Sequence, residues 1–463
     1  MRSNFGHSRR PWLLLQLAFA GALLGVLLAG MRGHGVPVAR ADDVKNADIV
    51  VQFDAQSAVV RPITFTGAIS GLRALELTGL EVISTVTAFG PAVCSIEGVG
   101  CPAANCFCDA ARFWGYNFWD GTTWQGYMVG AGSSVISQTG DAEGWRWGEF
   151  GMMPLPADQA RAASAALDWL ATQQSADGSY GTAGATADVM LAIGANGLGP
   201  ATWSNAGGVS LLDYWSDDAI PGDQYTNNAA KFVAVSPASN AKLLLAAQST
   251  GQDIQSFAGL DLASAIEDTL DQTSGVIGLN NWDQALGMLG LRVAFTEPLP
   301  AATVDVLAQR ANDDGGWGYL PGGDSDTNST ALAVQALNAS GTCNQLVIVD
   351  QAMDYLAAAQ NDDGGFPYTP GNASDTNSTA FVVQAILAVG DDPHGPRWTT
   401  GGKSPLDFLL ARQLPDGSFE WQAGLGGDQF ATRQAVPALL NTSLAKGLSP
   451  AVCHTSYLPL VKN

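Results

Sequence analysis

The chain has 463 residues and a formal net charge of −22, from 21 basic against 43 acidic side chains. Its first 41 residues hold five Arg and no Asp or Glu, so the remainder is more acidic than the whole; such an excess repels phosphate backbones and anionic headgroups and argues against nucleic-acid binding or electrostatic membrane attachment. With 46% hydrophobic residues, 14% charged and 54 Gly, the composition is that of a compact, turn-rich globular protein, and the length predicts two or three domains.

Arg9 and Arg10 precede an apolar run over 11–30, and Ala39-Arg40-Ala41 offers a small-x-small cleavage site, the pattern of an export signal over residues 1–41. Ser8-Arg9-Arg10-Pro11-Trp12-Leu13-Leu14 also has the form of a twin-arginine signal, and an uncleaved anchor is the other reading of so long a run. A secreted or extracytoplasmic, cell-envelope location is expected. Six cysteines follow: Cys94, Cys101, Cys106 and Cys108 in a cluster, then Cys343 and Cys453. An even count after an export signal predicts disulfides, and the one-residue gap between Cys106 and Cys108 does not suit zinc-ligand spacing. Two bonds are expected inside 94–108, with open connectivity. A third, Cys343 to Cys453, would tie down the tail 446–463 at roughly 2–4 kcal/mol.

From Asp48 to about Phe150 the signals are strand-like: Ile49-Val50-Val51-Gln52-Phe53 alternates, Arg61-Pro62-Ile63-Thr64-Phe65 follows, and Gly71 to Gly79 is a short helix candidate. A β-rich module over 48–150 is expected. After Pro154 and Pro156 the pattern becomes helical, with apolar residues at three- and four-residue spacing broken by Asp-Gly turns. The segments opening at Asn312 and Asn361 are near copies at an offset of 49 residues, weaker copies lie near 167–197 and 406–440, and two degenerate units stand between. Six helix-turn-helix units predict twelve helices closing as a two-layered ring, an (α/α)6 toroid over 154–445. The expected fold class is therefore α+β, a small β-rich module followed by six helix-pair repeats, with the tail from Ser456 packed as an extended strand.

The repeated turns have a structural reading. In the runs from Gln174 to Tyr180, Gln360 to Phe366 and Gln413 to Phe419, Gly takes a left-handed turn and the aromatic packs between units. Ala311 stands where a fourth Gln would be, so the motif is not uniformly needed for chemistry. Asn-Ser-Thr at 328–330 and 377–379 reads as capping of the second helix in each unit.

These repeats resemble the prenyltransferase and squalene-cyclase superfamily, whose toroid carries Gln-rich, Asp-Gly-aromatic turns; the likeness covers about 154–445. The segment 48–150, with Cys94 and Cys101, Trp114-Gly115-Tyr116 before Trp119, and the run from Gly140 to Gly148, is similar to a β module found with such toroids in exported bacterial proteins and, in the opposite order, in the animal cobalamin carriers intrinsic factor and transcobalamin. Class II terpene cyclases protonate with the middle Asp of Asp-x-Asp-Asp-Thr-Ala. Aligned on Thr330-Ala331 and Thr379-Ala380, this chain has Asn328-Ser329 and Asn377-Ser378, so the resemblance carries over no proton donor. Asp324 and Asp326 stand nearby in a Gly-rich turn, where solvated carboxylates are expected. Protein prenyltransferases of this fold need zinc held by Asp, Cys and His; after the signal only His394 and His454 remain, neither with a partner at ligand spacing. No nucleophile elbow, phosphate loop or His-x-x-x-His pair occurs.

The expectation is therefore an exported binding protein, with no catalytic or metal-ligating residue assigned and no covalent cofactor. Trp114, Tyr116, Trp119, Trp124 and Tyr127 crowd into fourteen residues, and aromatic faces with polar edges suit a broad, flat ligand. The resemblance makes cobalamin or a related corrinoid that ligand, held between the ring mouth and the aromatic module by Trp119, Trp124, Tyr319, Asp326, Asn328, Tyr368, Asp375 and Asn377. A cell-envelope receptor or transporter is the expected protein partner. Two other readings stay open: a terpene-cyclase or prenyltransferase-like enzyme with a divergent acid motif, and a surface structural or adhesion protein.

Overall fold

The computed structural model describes residues 43–88, 90–217, 227–342 and 345–448. The export signal, Cys343, Cys453 and the tail strand expected from Ser456 lie outside the described residues. A β-rich region comes first and a helical toroid follows.

The alternating run near the start folds as β1 (Val44–Asp54), which turns back through Asp54 and Ser57 into β2 (Ser57–Thr66). Ser70 then caps the short α1 (Gly71–Leu77), its Oγ accepting from Arg73 N at 3.2 Å. A three-stranded sheet of β3 (Val82–Thr87), β4 (Gly90–Ile96) and β5 (Val99–Gly100) leads to β6 (Phe113–Trp119), β7 (Trp124–Gly126) and β8 (Asp141–Gly148). The main sheet runs β2-β1-β8-β6-β7, with β1 and β8 parallel. Successive side chains of a strand face opposite ways, and here both faces are covered. Ile49, Val51, Val59, Trp114 and Trp145 build a core with Leu75 and Ile96, whereas Val50, Ala58, Val60, Trp124 and Ala142 join the core of the helices. Disulfides Cys94–Cys106 and Cys101–Cys108 supply the two bonds expected in the cluster and fix its connectivity.

Among the described residues six inner helices form the ring: α3 (Ala183–Ala195), α6 (Pro237–Ser249), α8 (Asn281–Phe295), α10 (Thr327–Ala339), α12 (Thr376–Ala388) and α14 (Gln429–Leu439). Each packs on the next, and α14 packs on α3, which closes the circle. Outside them lie α2 (Ala157–Thr172), α4 (Leu211–Ser216) with α5 (Asn228–Val233), α7 (Leu262–Glu267), α9 (Ala301–Ala308), α11 (Leu346–Ala359) and α13 (Pro405–Leu410). Six inner and six outer positions match the twelve expected, except that two short helices share the second outer position. The inner helices are built of small apolar residues because they are surrounded; α12 is buried at every position from Thr376 to Ala388.

One local device recurs in the units. A threonine near the start of the inner helix accepts a hydrogen bond from the backbone N–H of the turn aromatic: Tyr180 to Thr186 at 3.0 Å, Trp317 to Thr330 at 2.9 Å, Phe366 to Thr379 at 2.9 Å and Phe419 to Thr432 at 2.8 Å. The same hydroxyl donates back to the N-cap carbonyl, as Thr379 does to Asp375 at 2.7 Å. Gln284 replaces threonine in the degenerate third unit, accepting from Ile277 N at 2.8 Å. The turn glutamines do scaffold work, as expected. Gln360 Nε2 donates to Gly364 O and Trp398 O, both at 2.8 Å, and Gln413 Nε2 to Gly417 O at 3.1 Å and Ala162 O at 2.8 Å. Gly364 has φ +84°, and a Cβ there would lie 2.5 Å from Ser404 O, so only glycine fits.

All inner helices point the same way, so the ring has two different rims. At the N-terminal rim the backbone passes from unit to unit: Asn281 N donates to Tyr319 O, Thr327 N to Tyr368 O and Thr376 N to Trp421 O, each at 3.0 Å. The β-rich region sits at the other rim. Asn196, the C-cap of α3, exchanges hydrogen bonds with Val60 N at 2.8 Å and Val60 O at 3.3 Å, and Gln56 Nε2 donates to Leu387 O near the end of α12 at 2.9 Å.

Candidate functional site

The ring encloses a cavity of about 450 Å³, a common size for a small-molecule site. Its wall is largely apolar: Leu191, Leu245, Leu286 and Val293, with the rings of Trp282, Phe381 and Phe430. Trp282 and Phe381 stand 5.6 Å apart with planes at 52°. Trp282 is fixed by its Nε1, which donates to Ser329 Oγ at 2.8 Å.

Set in that wall is a charged cluster drawn from three inner helices. Asp188 on α3 accepts Lys242 Nζ of α6 on Oδ1 at 2.9 Å and Arg433 Nε of α14 on Oδ2 at 3.3 Å. Each of these helices carries no other charged residue, so each charge is a lone exception in an Ala- and Leu-rich segment. Arg433 also lies over the Phe430 ring at 4.6 Å. One carboxylate between two cations leaves a net positive charge inside a strongly acidic protein. Asp188 is the one carboxyl among the described residues lining the cavity. Beside the cluster, Asn377 Nδ2 donates to Gln434 Oε1 at 3.0 Å, while Asn377 Oδ1 is buried without a hydrogen-bond partner.

Two readings of polar residues change. Asp326 and Asp375, expected as solvated or ligand-facing groups, are 5% and 4% exposed. They are the N-caps of α10 and α12, accepting from Ser329 N at 2.7 Å and Ser378 N at 2.8 Å. Burial pushes both carboxyls above their ordinary range, and the hydrogen bonds from the serines oppose it. Capping therefore falls to these aspartates rather than to Asn328 and Asn377, which lie inside the helices. The turn acids Asp314 and Asp363 each accept a nearby backbone N–H and a serine hydroxyl. Among the described residues no group of three His, Cys, Asp or Glu is placed to hold a metal.

Helices in a closed double ring around an apolar cavity define an α/α toroid. Residues 282–446 match the prenyltransferase alpha-alpha toroid domain family. Among solved structures, a type II terpene cyclase from Scytonema in complex with merosterolic acid A is similar at 16% identity and TM-score 0.43, covering 61% of this chain and 96% of that one. Protein geranylgeranyltransferase-I of Candida albicans complexed with GGPP is similar at 14% and 0.35, over 46% and 71%. For ent-copalyl diphosphate synthase from Streptomyces platensis the values are 17% and 0.37, over 57% and 50%. No curated sequence matches the chain.

The expected corrinoid carrier is overturned. The family match is to the prenyltransferase toroid domain, and the clasp that a corrinoid would need is not formed. Tyr319, Asp326, Asn328, Tyr368, Asp375 and Asn377 do gather at or near the N-terminal rim, where Tyr319 and Tyr368 are half exposed. Trp119 and Trp124 belong to the β-rich region, at the opposite rim. Thirteen-residue inner helices such as α10 hold the two rims about 20 Å apart. Trp124 is 7% exposed, donates through Nε1 to Leu155 O at 2.9 Å, and packs with Trp119 at 5.2 Å against the ring's own core. Their edges and faces are spent on holding the β-rich region to the ring.

Sequence reasoning missed Asp188, Lys242, Trp282, Phe381 and Arg433. A signal was available: counted from the clamp threonine, Asp188, Phe381 and Gln434 occupy the same position, two residues on from Thr186, Thr379 and Thr432. The repeat alignment thus marks the inward face, and a lone charge on it stands out.

Proposed function

We propose that the ring cavity takes an isoprenoid-type amphiphile, an apolar chain with an anionic head, and that the protein acts on it as a terpene-cyclase or prenyltransferase-like enzyme with a divergent acid motif. The observation that carries this reading is the Asp188, Lys242 and Arg433 cluster set into a largely apolar and aromatic wall. Lys242 and Arg433 suit a carboxylate or diphosphate head, and the leucines and rings suit a branched hydrocarbon chain. As long as both cations stay on Asp188, neither of its oxygens is free for chemistry. An anionic head that draws them away frees Asp188 to take up a proton from water and pass it to an alkene of the chain. The carbocation so formed meets the faces of Trp282 and Phe381, and its loss of a proton to the Asp188 carboxylate gives the alkene product and restores the carboxyl.

The test is titration of the protein with geranylgeranyl carboxylate, geranylgeranyl diphosphate and neutral geranylgeraniol, followed by mass spectrometry for cyclised or transferred product. Tighter binding of the anions than of the alcohol is expected, weakened about tenfold or more in Lys242→Ala and Arg433→Ala. Product is expected from wild type and not from Asp188→Asn, which should still bind. Equal affinity for alcohol and anions, or turnover retained in Asp188→Asn, defeats the reading.

A further inference from the structure

The cavity floor is not made by the inner helices alone. Past their C-terminal ends the chain leaves α14 through Asn441 and crosses the ring as a strap, and Thr442, Ser443, Leu444, Lys446 and Gly447 of this strap line the cavity. Within the toroid the strap is held by packing of Leu444, Ala445 and Leu448 on the helical core and by Gln159 Nε2, which donates to Asn441 Oδ1 at 3.0 Å. Leu444 N donates to Gln335 Oε1 of α10 at 3.0 Å, and Thr442 N donates to Pro437 O at 2.8 Å. Further hydrogen bonds come from the hairpin tip between β1 and β2. Gln56 accepts from Ser443 Oγ on its side-chain oxygen and from Thr442 Oγ1 on its backbone carbonyl, the latter at 3.2 Å. Its Nε2 meanwhile donates to Leu387 O, which anchors the tip to α12. Gln56 itself is held in its turn by its own N–H, which donates to Asp54 Oδ1 at 2.7 Å. Burial pushes the Lys446 amine below its ordinary pKa, and the charge of Asp54 opposes that shift, a second link from tip to strap.

A single side chain thus joins three segments that are far apart in the sequence: the β hairpin, the last turn of an inner helix and the stretch that closes the cavity. We propose that the β-rich region sets the length of ligand the toroid accepts, Gln56 acting as a positioning residue that pins the strap and Leu444 as the floor against which the end of the chain stops. The inference rests on the isoprenoid reading for the class of ligand. Depth follows from geometry: with the head fixed at Lys242 and Arg433, each added isoprene unit advances the tail toward Leu444, and a chain that reaches it must displace the strap or fold back.

The experiment measures affinities of the full chain for geranyl, farnesyl and geranylgeranyl carboxylates, together with hydrogen–deuterium exchange of the strap amides. Leu444→Trp is expected to weaken the longest ligand about tenfold more than the shortest, because a raised floor excludes the tail. Leu444→Ala should shift the preference the other way, and covers the case in which the larger residue prevents folding. Gln56→Ala is expected to speed exchange at residues 443–445 by about tenfold or more and to flatten the dependence of affinity on chain length, whereas a merely structural role would weaken all three ligands equally. Unchanged exchange in Gln56→Ala, or parallel shifts across the series in both Leu444 variants, overturns the inference while leaving the isoprenoid reading in place. Failure of wild type to bind any of the three overturns that reading and the inference with it.

Discussion

Arg433 and Asp188 are 245 residues apart in the chain, yet Arg433 Nε meets Asp188 Oδ2 at 3.3 Å. The contact joins the last inner helix to the first, at the seam where the ring closes. Because Lys242 holds the other oxygen, the pair is one side of a three-residue cluster drawn from consecutive positions around the circle.

Asp188→Ala leaves Arg433 and Lys242 facing each other, with Arg433 nearly buried. Removing one member of a buried pair is costly, and with Lys242 partly exposed a loss of about 3 kcal/mol is expected by urea denaturation. The double variant Asp188→Ala with Arg433→Leu should regain some of that loss, because the uncompensated charge is gone. A double variant no more stable than the single one would show that the charges were not the cause.

Thr379→Val keeps the shape of the side chain but removes the hydroxyl that accepts from Phe366 N and donates to Asp375 O. Phe366 N loses its partner, while Asp375 O keeps the backbone N–H of residue 379 at 3.0 Å, and a destabilisation of about 2 kcal/mol is expected, against less than about 1 kcal/mol for Thr379→Ser. Chemical denaturation of the two variants side by side checks it. Similar losses in both would point to packing rather than the hydrogen bonds.

Glu143 lies in the β-rich region, 2% exposed, with Oε1 accepting from Tyr127 OH at 2.8 Å beside the stacked Tyr116. Burial pushes its carboxyl up from 4.5 to about 7, against hydrogen bonds from Tyr116 and Tyr127 that lower it. Between those values the folded protein holds a proton that the unfolded chain has released, so stability falls as pH rises. The contribution is fully present below pH 4.5 and lost through pH 7, by up to about 3 kcal/mol. Thermal melts from pH 5 to 8 should show this slope in wild type, and Glu143→Gln should be flatter. An equal slope in the variant would assign the effect elsewhere.

Non-reducing peptide mapping should recover Cys94 with Cys106 and Cys101 with Cys108. Replacing Cys94 and Cys106 together with Ala is expected to lower the stability of the β-rich region by roughly 2–3 kcal/mol, since the loop they close is short. Recovery of other pairings would refute the connectivity. The two bonds also fit an oxidising compartment.

The ring was legible because its units still share a spacing: the turns that open at Asn312 and Asn361 fold alike down to the donors that Asp314 and Asp363 accept. The glutamine motif was legible as scaffold for the same reason, since Ala311 already showed that a unit can do without it. The rim on which the β-rich region would dock was not legible. The deciding contact is made by Gln56 in a short polar turn, and no periodicity marks which end of a distant helix such a residue will meet. A Gly-rich turn predicts exposed aspartates before Asn328 and Asn377, but the closed ring buries the start of each inner helix against the next unit. Tryptophans crowded between Trp114 and Trp124 suggested a ligand surface, but much of their area is consumed by two cores that meet across one sheet.

In an open solenoid each unit touches only its neighbours, and another copy can be added at either tip. This ring offers no such tip, because α14 already rests on α3. Duplicating one helix-pair unit would have to prise apart a pair of inner helices, widen the bore at every level and draw Arg433 away from Asp188. Girth is therefore fixed in whole steps by copy number, and ordinary substitution can tune the bore only along its axis.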